Sequence, residues 1–152
     1  MRQGPHASTA RGLALSTPAL YAWISNEGAA MSVNEIAERY VALCKAGKLE
    51  QILDELFAAD AVSVEASVPP GLDPTSSGLS AIKAKSEWWT QNHEIHRFET
   101  FGPYPNGDRF AVRFALDVTN KPSGRRMSME EIGLFTVENG KISREEFFYQ
   151  TG

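Results

Sequence analysis

The chain has 152 residues, 42% of them apolar and 22% charged, with a formal charge of −4. That length suits one domain with a core of its own. The acidic balance, without a basic stripe, argues against a nucleic-acid partner, and an anionic membrane surface is equally unsupported. No run reaches the roughly 18 uninterrupted apolar residues that a membrane span requires.

Residues 1–30 differ in kind from the rest. They carry Arg2 and Arg11, no acid before Glu27, and many Ala, Ser, Thr, Gly and Pro. No periodicity is sustained there, so a mobile leader is expected. A weak signal-peptide core over Gly12–Ile24 is interrupted by Ser16, Thr17 and Pro18. Met31 directly precedes a clean helix start, which favours an over-extended reading frame with the domain at residues 31–152. Cys44 is the single cysteine, so no intramolecular disulfide framework exists, and a reducing, cytoplasmic setting is expected. Its place in an apolar helical pattern makes it a small hydrophobe rather than a nucleophile.

From Ser32 onward the pattern sharpens. Ser32 and Glu35 have capping-box spacing. Ile36, Ala37, Tyr40, Val41, Leu43 and Cys44 follow as one apolar helical face, which Gly47 ends. A second short helix runs from about Leu49 to Phe57, ended by Asp60, and Ala61–Ser67 reads as a strand. Val68–Ser77 holds three prolines and a glycine and reads as a long loop of the kind that edges a site. A third helix, about Gly78–Asn92, presents Leu79, Ile82, Ser86 and Trp89 as a stripe.

The remainder is strand and turn. His93–Phe101 alternates loosely, and Pro103–Asp108 is a turn built on Asn106-Gly107. Phe110, Val112, Phe114, Leu116 and Val118 alternate strictly. Arg126–Val137 and Lys141–Gln150 follow, joined at Asn139-Gly140. Apolar residues on both faces of the late strands call for cover on two sides. Three helices supply one, and a second copy of the chain, a homodimer through the sheet, supplies the other.

This order of helix, helix, strand, long loop, helix and four-strand meander, closing with Gly140-Lys141-Ile142 and Phe147-Phe148-Tyr149, resembles the nuclear-transport-factor-2-like superfamily and its SnoaL-like branch. The resemblance covers residues 33–150. It implies an α+β, cone-shaped fold of three N-terminal helices packed on a strongly curved, mostly antiparallel sheet. A small-molecule pocket would lie between the layers, walled by Phe57, Trp89, Phe114, Leu116, Ile132, Glu145 and Tyr149.

Within that fold, Arg39-Tyr40-Val41-Ala42-Leu43, Ala46-Gly47 and Leu56-Phe57-Ala58-Ala59-Asp60-Ala61 are similar to the ketosteroid isomerases. Their oxyanion-donor tyrosine corresponds to Tyr40, and their general-base carboxylate to Glu65, a longer acid where the family has Asp. Counting back from the Gly-Lys-Ile turn places Ile132 where they carry a second, protonated acid, so the triad is incomplete. Ketosteroid isomerase is itself the standard instance of an acid held neutral to donate a hydrogen bond.

Other candidates divide by parity. His96 shares parity with Phe98 and Thr100 and is expected to face the pocket as an acid or base. His93 reads as a helix-end residue. The pair does not read as a metal site, because residues three apart on a strand face opposite ways. Arg113 and Asp117 resemble part of the limonene epoxide hydrolase set but read better as salt-bridge partners in the sheet. Glu130, Glu131, Glu145 and Glu146 place one acid per face on each late strand. The functional expectation is a cofactor-independent isomerase or cyclase on an apolar carbonyl compound, with Tyr40, Glu65 and His96 as its chemistry. The alternatives are a non-catalytic binder of a small hydrophobic molecule and a protein-interaction module.

Overall fold

A computed structural model of the chain describes residues 29–150. The leader expected over residues 1–30 lies outside these, apart from its last two positions.

Helix α1 (Val33–Lys45) begins as its sequence dictates. Ser32 accepts from the Glu35 amide at 3.2 Å, and Glu35 Oε2 accepts from the Ser32 amide at 2.7 Å. Two first-turn donors are thereby satisfied. All six residues of the expected apolar face are buried. Helix α2 (Leu49–Leu56) buries Ile52, Leu53 and Leu56. It stops earlier than expected: Phe57 is already extended and opens strand β1 (Phe57–Val64), pairing with Ile142. Tertiary pairing overrides local helix preference at this junction.

The loop that follows is shorter than Val68–Ser77, because Thr75–Ser77 forms strand β2 against β1. Helix α3 (Leu79–Asn92) then leads directly into the meander of β3 (His93–Asn106), β4 (Arg109–Asn120), β5 (Arg125–Glu138) and β6 (Lys141–Phe148). The expected turn at Pro103–Asp108 contracts to Gly107 and Asp108. Strand β3 runs through Pro103 and Pro105 because it is a sheet edge, where a missing N–H is tolerated. At Asn139-Gly140 both residues have positive φ, 51° and 72°, the backbone that a two-residue hairpin with matching twist requires.

The six strands lie in the order β2-β1-β6-β5-β4-β3, antiparallel except for β1 beside β6. The result is an α+β fold of three helices on a curved, unclosed sheet. The alternating residues of β4, from Phe110 to Val118, all point to the helix side and are buried. Among the described residues, no helix is long and apolar enough to cross a membrane.

Gly133 permits the curvature to be filled. A Cβ built there would lie 2.7 Å from one Phe135 ring carbon, 2.8 Å from another and 3.2 Å from Phe114. Close packing makes such an overlap costly. Gly133→Ala is expected to destabilise the domain by about 1–3 kcal/mol, measured by urea denaturation. A change below the scatter of replicate curves would show that the rings move aside freely.

Candidate functional site

Between the helices and the sheet lies a cavity of about 620 Å³, within the usual range for small-molecule sites. Its walls are mostly apolar: Leu53 and Phe57 from the α2–β1 corner, Trp89 from α3, and Phe98, Phe114 and Leu116 from β3 and β4. Leu72 and Trp88 also line it and are largely exposed.

One wall is charged. Lys85 sits three residues beyond the buried Ile82 on α3 and enters the sheet's concave side. Its ammonium contacts Ser63 Oγ, donates to Glu65 Oε1 at 2.6 Å and lies 3.6 Å from Glu145 Oε1. It also lies 5.2 Å from the centre of the Phe147 ring. The far oxygen of Glu65 accepts from Tyr149 OH at 3.1 Å. The single proton of that hydroxyl is shared with the Ser67 carbonyl, also at 3.1 Å, and the hydroxyl accepts from the Ser67 amide at 3.3 Å. Both Glu65 oxygens are therefore engaged, and the chain leaving β1 is pinned to the end of β6.

The other two acids differ. Glu145 is 5% exposed, and burial raises its pKa against the pull of Lys85 and Ser63. Glu131 lies across from Phe114 on the inner face of β5 and also lines the cavity. Among the described residues, no side chain donates a hydrogen bond to it. Burial first, then the charges of Glu65 and Glu145, push its pKa up to about 7, with Lys85 opposing. A carboxyl that titrates at neutral pH inside an apolar cavity is suited to proton transfer.

Tyr40 lines the same cavity from α1, packed 4.4 Å from the Phe135 ring centre and 5.8 Å from that of Phe110. Burial leads the causes that hold its pKa well above the ordinary value, followed by Cys44, Glu145 and Glu131. It therefore stays neutral and can only donate or accept a hydrogen bond. The Cys44 thiol is pushed up to about 12 by burial and stays protonated.

Several expected residues meet here: Tyr40, Phe57, Glu65, Trp89, Phe114, Leu116, Glu145 and Tyr149 all line the cavity. Two do not. His96 is exposed and bonds Thr119 Oγ1 at 2.8 Å, on the outer face. The cause is a register shift between Ile95 and Arg97, which leaves His96 unopposed as a bulge and turns it away from Phe98. Ile132 also faces outward, opposite Arg113 and Phe148, and is 38% exposed. Gly133, Phe135 and Val137 are buried on the inner face, so the inward acid at this end of β5 is Glu131, one residue from the counted position. Alternation from Phe135 and Val137 could have identified it. Lys85 carried a weaker signal, its helical spacing from Ile82.

The outer residues pair among themselves. Arg113 bonds Glu130 at 2.7 Å, and Asp117 makes two bonds of 2.9 Å to Arg126. Glu146 pairs with Arg144 at 2.6 Å. His93 stacks on Trp89 at 4.6 Å, with its Nδ1 2.9 Å from the Trp89 carbonyl, as suits a helix end. Among the described residues, no three His, Cys, Asp or Glu side chains gather in a metal-binding arrangement.

The raised pKa of Glu131 has a consequence for stability. Between an unfolded-state pKa near the ordinary glutamate value of 4.5 and the folded value of about 7, the folded chain holds a proton that the unfolded chain has lost. Stability from this group is thus highest below 4.5, falls as pH rises through 7 and is level above. Glu131→Gln removes that dependence. The variant is expected to melt higher than the parent at pH 8, with the gap narrowing toward pH 4 in thermal scans. A gap of equal size at both pH values would contradict this origin.

A family model for the SnoaL-like domain matches residues 31–149. No curated protein matches the chain. Among solved structures, a candidate SnoaL-like polyketide cyclase from Mesorhizobium loti is 44% identical, with a TM-score of 0.74 over 78% of this chain and 100% of that one. A nuclear-transport-factor-2-like protein from Burkholderia pseudomallei is 22% identical, with a TM-score of 0.63 over 79% and 92% of the two chains. TerC, co-crystallised with polyporic acid, is also 22% identical, with a TM-score of 0.61 over 78% and 92%. At such identities the likeness shows the nuclear-transport-factor-2-like fold alone. On the family model and the Mesorhizobium relative, the chain belongs to the SnoaL-like domain family.

Proposed function

We propose that this SnoaL-like domain is a cofactor-independent isomerase or cyclase that acts on an apolar carbonyl compound by general acid–base chemistry. The observation that carries the proposal is Glu131: a carboxyl with no donor satisfied, facing an apolar cavity, with a pKa of about 7. A base poised near the working pH balances availability against strength.

In this reading Glu131 removes a proton from the carbon next to the carbonyl, and the electron pair moves onto the carbonyl oxygen. The neutral Tyr40 hydroxyl donates to that developing oxyanion. Glu131 then returns the proton at a different carbon, giving an isomer, or the enolate carbon attacks a second carbonyl, whose oxygen takes the proton back from Glu131 as the ring closes. Glu65 takes a supporting role, because Lys85 and Tyr149 already hold both its oxygens. The likeness to a candidate polyketide cyclase at 44% identity supports this reaction class.

The test is proton–deuterium exchange next to the carbonyl of aromatic β,γ-unsaturated ketones and 1,3-diketones, followed by NMR in deuterated buffer. Glu131→Gln is expected to lower kcat/KM by roughly 10²–10⁴-fold, and Tyr40→Phe by about 10²–10³-fold. For the parent, kcat/KM is expected to rise with pH through about 7 and then level as Glu131 ionises. A Glu131→Gln variant that exchanges at the parent's rate would sink the proposal.

A second reading, a binder without chemistry, is favoured by the tight engagement of Glu65 and Glu145 with Lys85, which leaves one free acid. TerC, a structure of the same fold, was co-crystallised with a small molecule. Tight ligand binding with no exchange in the parent would select this reading.

We also propose that the domain is a cytoplasmic homodimer joined through the outer sheet face. Ile132 is 38% exposed there and Phe148 53%, side by side on β5 and β6. Light scattering is expected to give about twice the 16.7 kDa chain mass. Phe148→Asp is expected to return it to the monomer. A parent that is already monomeric would instead favour this face as a docking surface for another protein.

A further inference from the structure

We infer that the cavity, taken as the ligand site proposed above, selects by charge, admitting neutral and cationic apolar molecules and excluding carboxylates and other anions. Four acids line it, Glu65, Asp73, Glu131 and Glu145, against one cation among the described residues, Lys85.

That cation is already engaged by the wall. An ammonium has three N–H donors. Lys85 donates to Ser63 Oγ and Glu65 Oε1, and Glu145 Oε1 lies 3.6 Å away as an ion-pair partner. The Tyr149 hydroxyl is likewise held by Glu65 and Ser67. An incoming anion would therefore meet an ammonium already engaged by the wall, while those acids that are ionised repel it. Its lost hydration would go uncompensated.

A cation meets the opposite situation. Glu131 stands opposite Phe114 on the inner face, and the Phe98 ring stacks on Phe114 at 5.7 Å. A carboxylate beside aromatic rings is a setting in which a protonated amine is stabilised. Burial acts first on the charge of Glu131, then Glu65 after β1 and Glu145 on β6, with Lys85 of α3 opposing them, while the neutral hydroxyl-bearing Tyr40 of α1 and Tyr149 beyond β6 line the same cavity. As pH rises through about 7, Glu131 ionises and the discrimination sharpens.

Three probes of one shape test this by calorimetric titration at pH 6 and pH 8: 2-naphthylmethylamine, 2-naphthylmethanol and 2-naphthoate. At pH 8 the naphthoate is expected to bind roughly tenfold or more weakly than the alcohol, and the amine at least as tightly as the alcohol. Both gaps are expected to narrow at pH 6 and in Glu131→Gln. Naphthoate binding within threefold of the alcohol at pH 8 would overturn the inference and leave the ligand site standing. Gaps unchanged at pH 6 would overturn it too, without depending on how the variant folds. Failure of all three probes to bind at millimolar concentration would remove the ligand site itself, and this inference with it.

Discussion

The Lys85 ammonium, carried into the concave side of the sheet by α3, is the interaction on which the site depends. Three of the four carboxyl groups lining the cavity it enters, Glu65, Glu131 and Glu145, are partly or wholly buried, and without a counter-charge their mutual repulsion and loss of hydration would oppose folding. Lys85 holds Glu65 directly and lies within 3.6 Å of Glu145. It contacts the fully buried Ser63, so β1, β6 and α3 are tied at one point. Removing one partner from such a cluster leaves an uncompensated buried charge, which is why it behaves as a unit.

The cavity's shape rests on departures from regular strand geometry. Gly133 leaves space for the rings of Phe135 and Phe114, which pack beneath Tyr40. A bulge at His96 turns two successive residues of β3 to the outer face before Phe98 returns inward. A second irregularity, where β6 meets β5 near Thr136, changes parity between Ile142 and Glu145 so that both are buried. Each shift re-aims a side chain without ending the strand.

These departures also mark where the sequence stopped being legible. The α1 face, its capping box and the Asn139-Gly140 hairpin follow from local spacing and local backbone chemistry, and all were readable in advance. The strict alternation of β4 was readable for the same reason. His96 was not, because its orientation depends on a bulge set by pairing with β4 rather than by its own neighbours. Glu65 was reached only through the resemblance to the isomerases, because alternation along β1 does not tell which face is inward, and the burial of Ser63 identifies it. The acid on β5 was missed by a single step: a count from the turn landed on Ile132, where alternation from Phe135 leads to Glu131. Lys85 was passed over because a charge on a helix is usually solvated, and nothing local reveals that this one meets two acids distant in sequence.

The three acids divide their work by what surrounds each. Glu65 has a cation on one oxygen and a hydroxyl on the other, so its environment is complete and it serves as architecture. Glu145 is almost wholly buried beside the same cation, out of reach of solvent. Only Glu131 is left without a donor, and burial, followed by the charges of Glu65 and Glu145, brings its pKa to about 7. A second lysine would lower that pKa and stabilise the fold near neutral pH, but it would also make the carboxylate a weaker base. The destabilisation that Glu131 brings at neutral pH and its readiness to accept a proton are one physical fact, and the chain cannot relieve the first without losing the second.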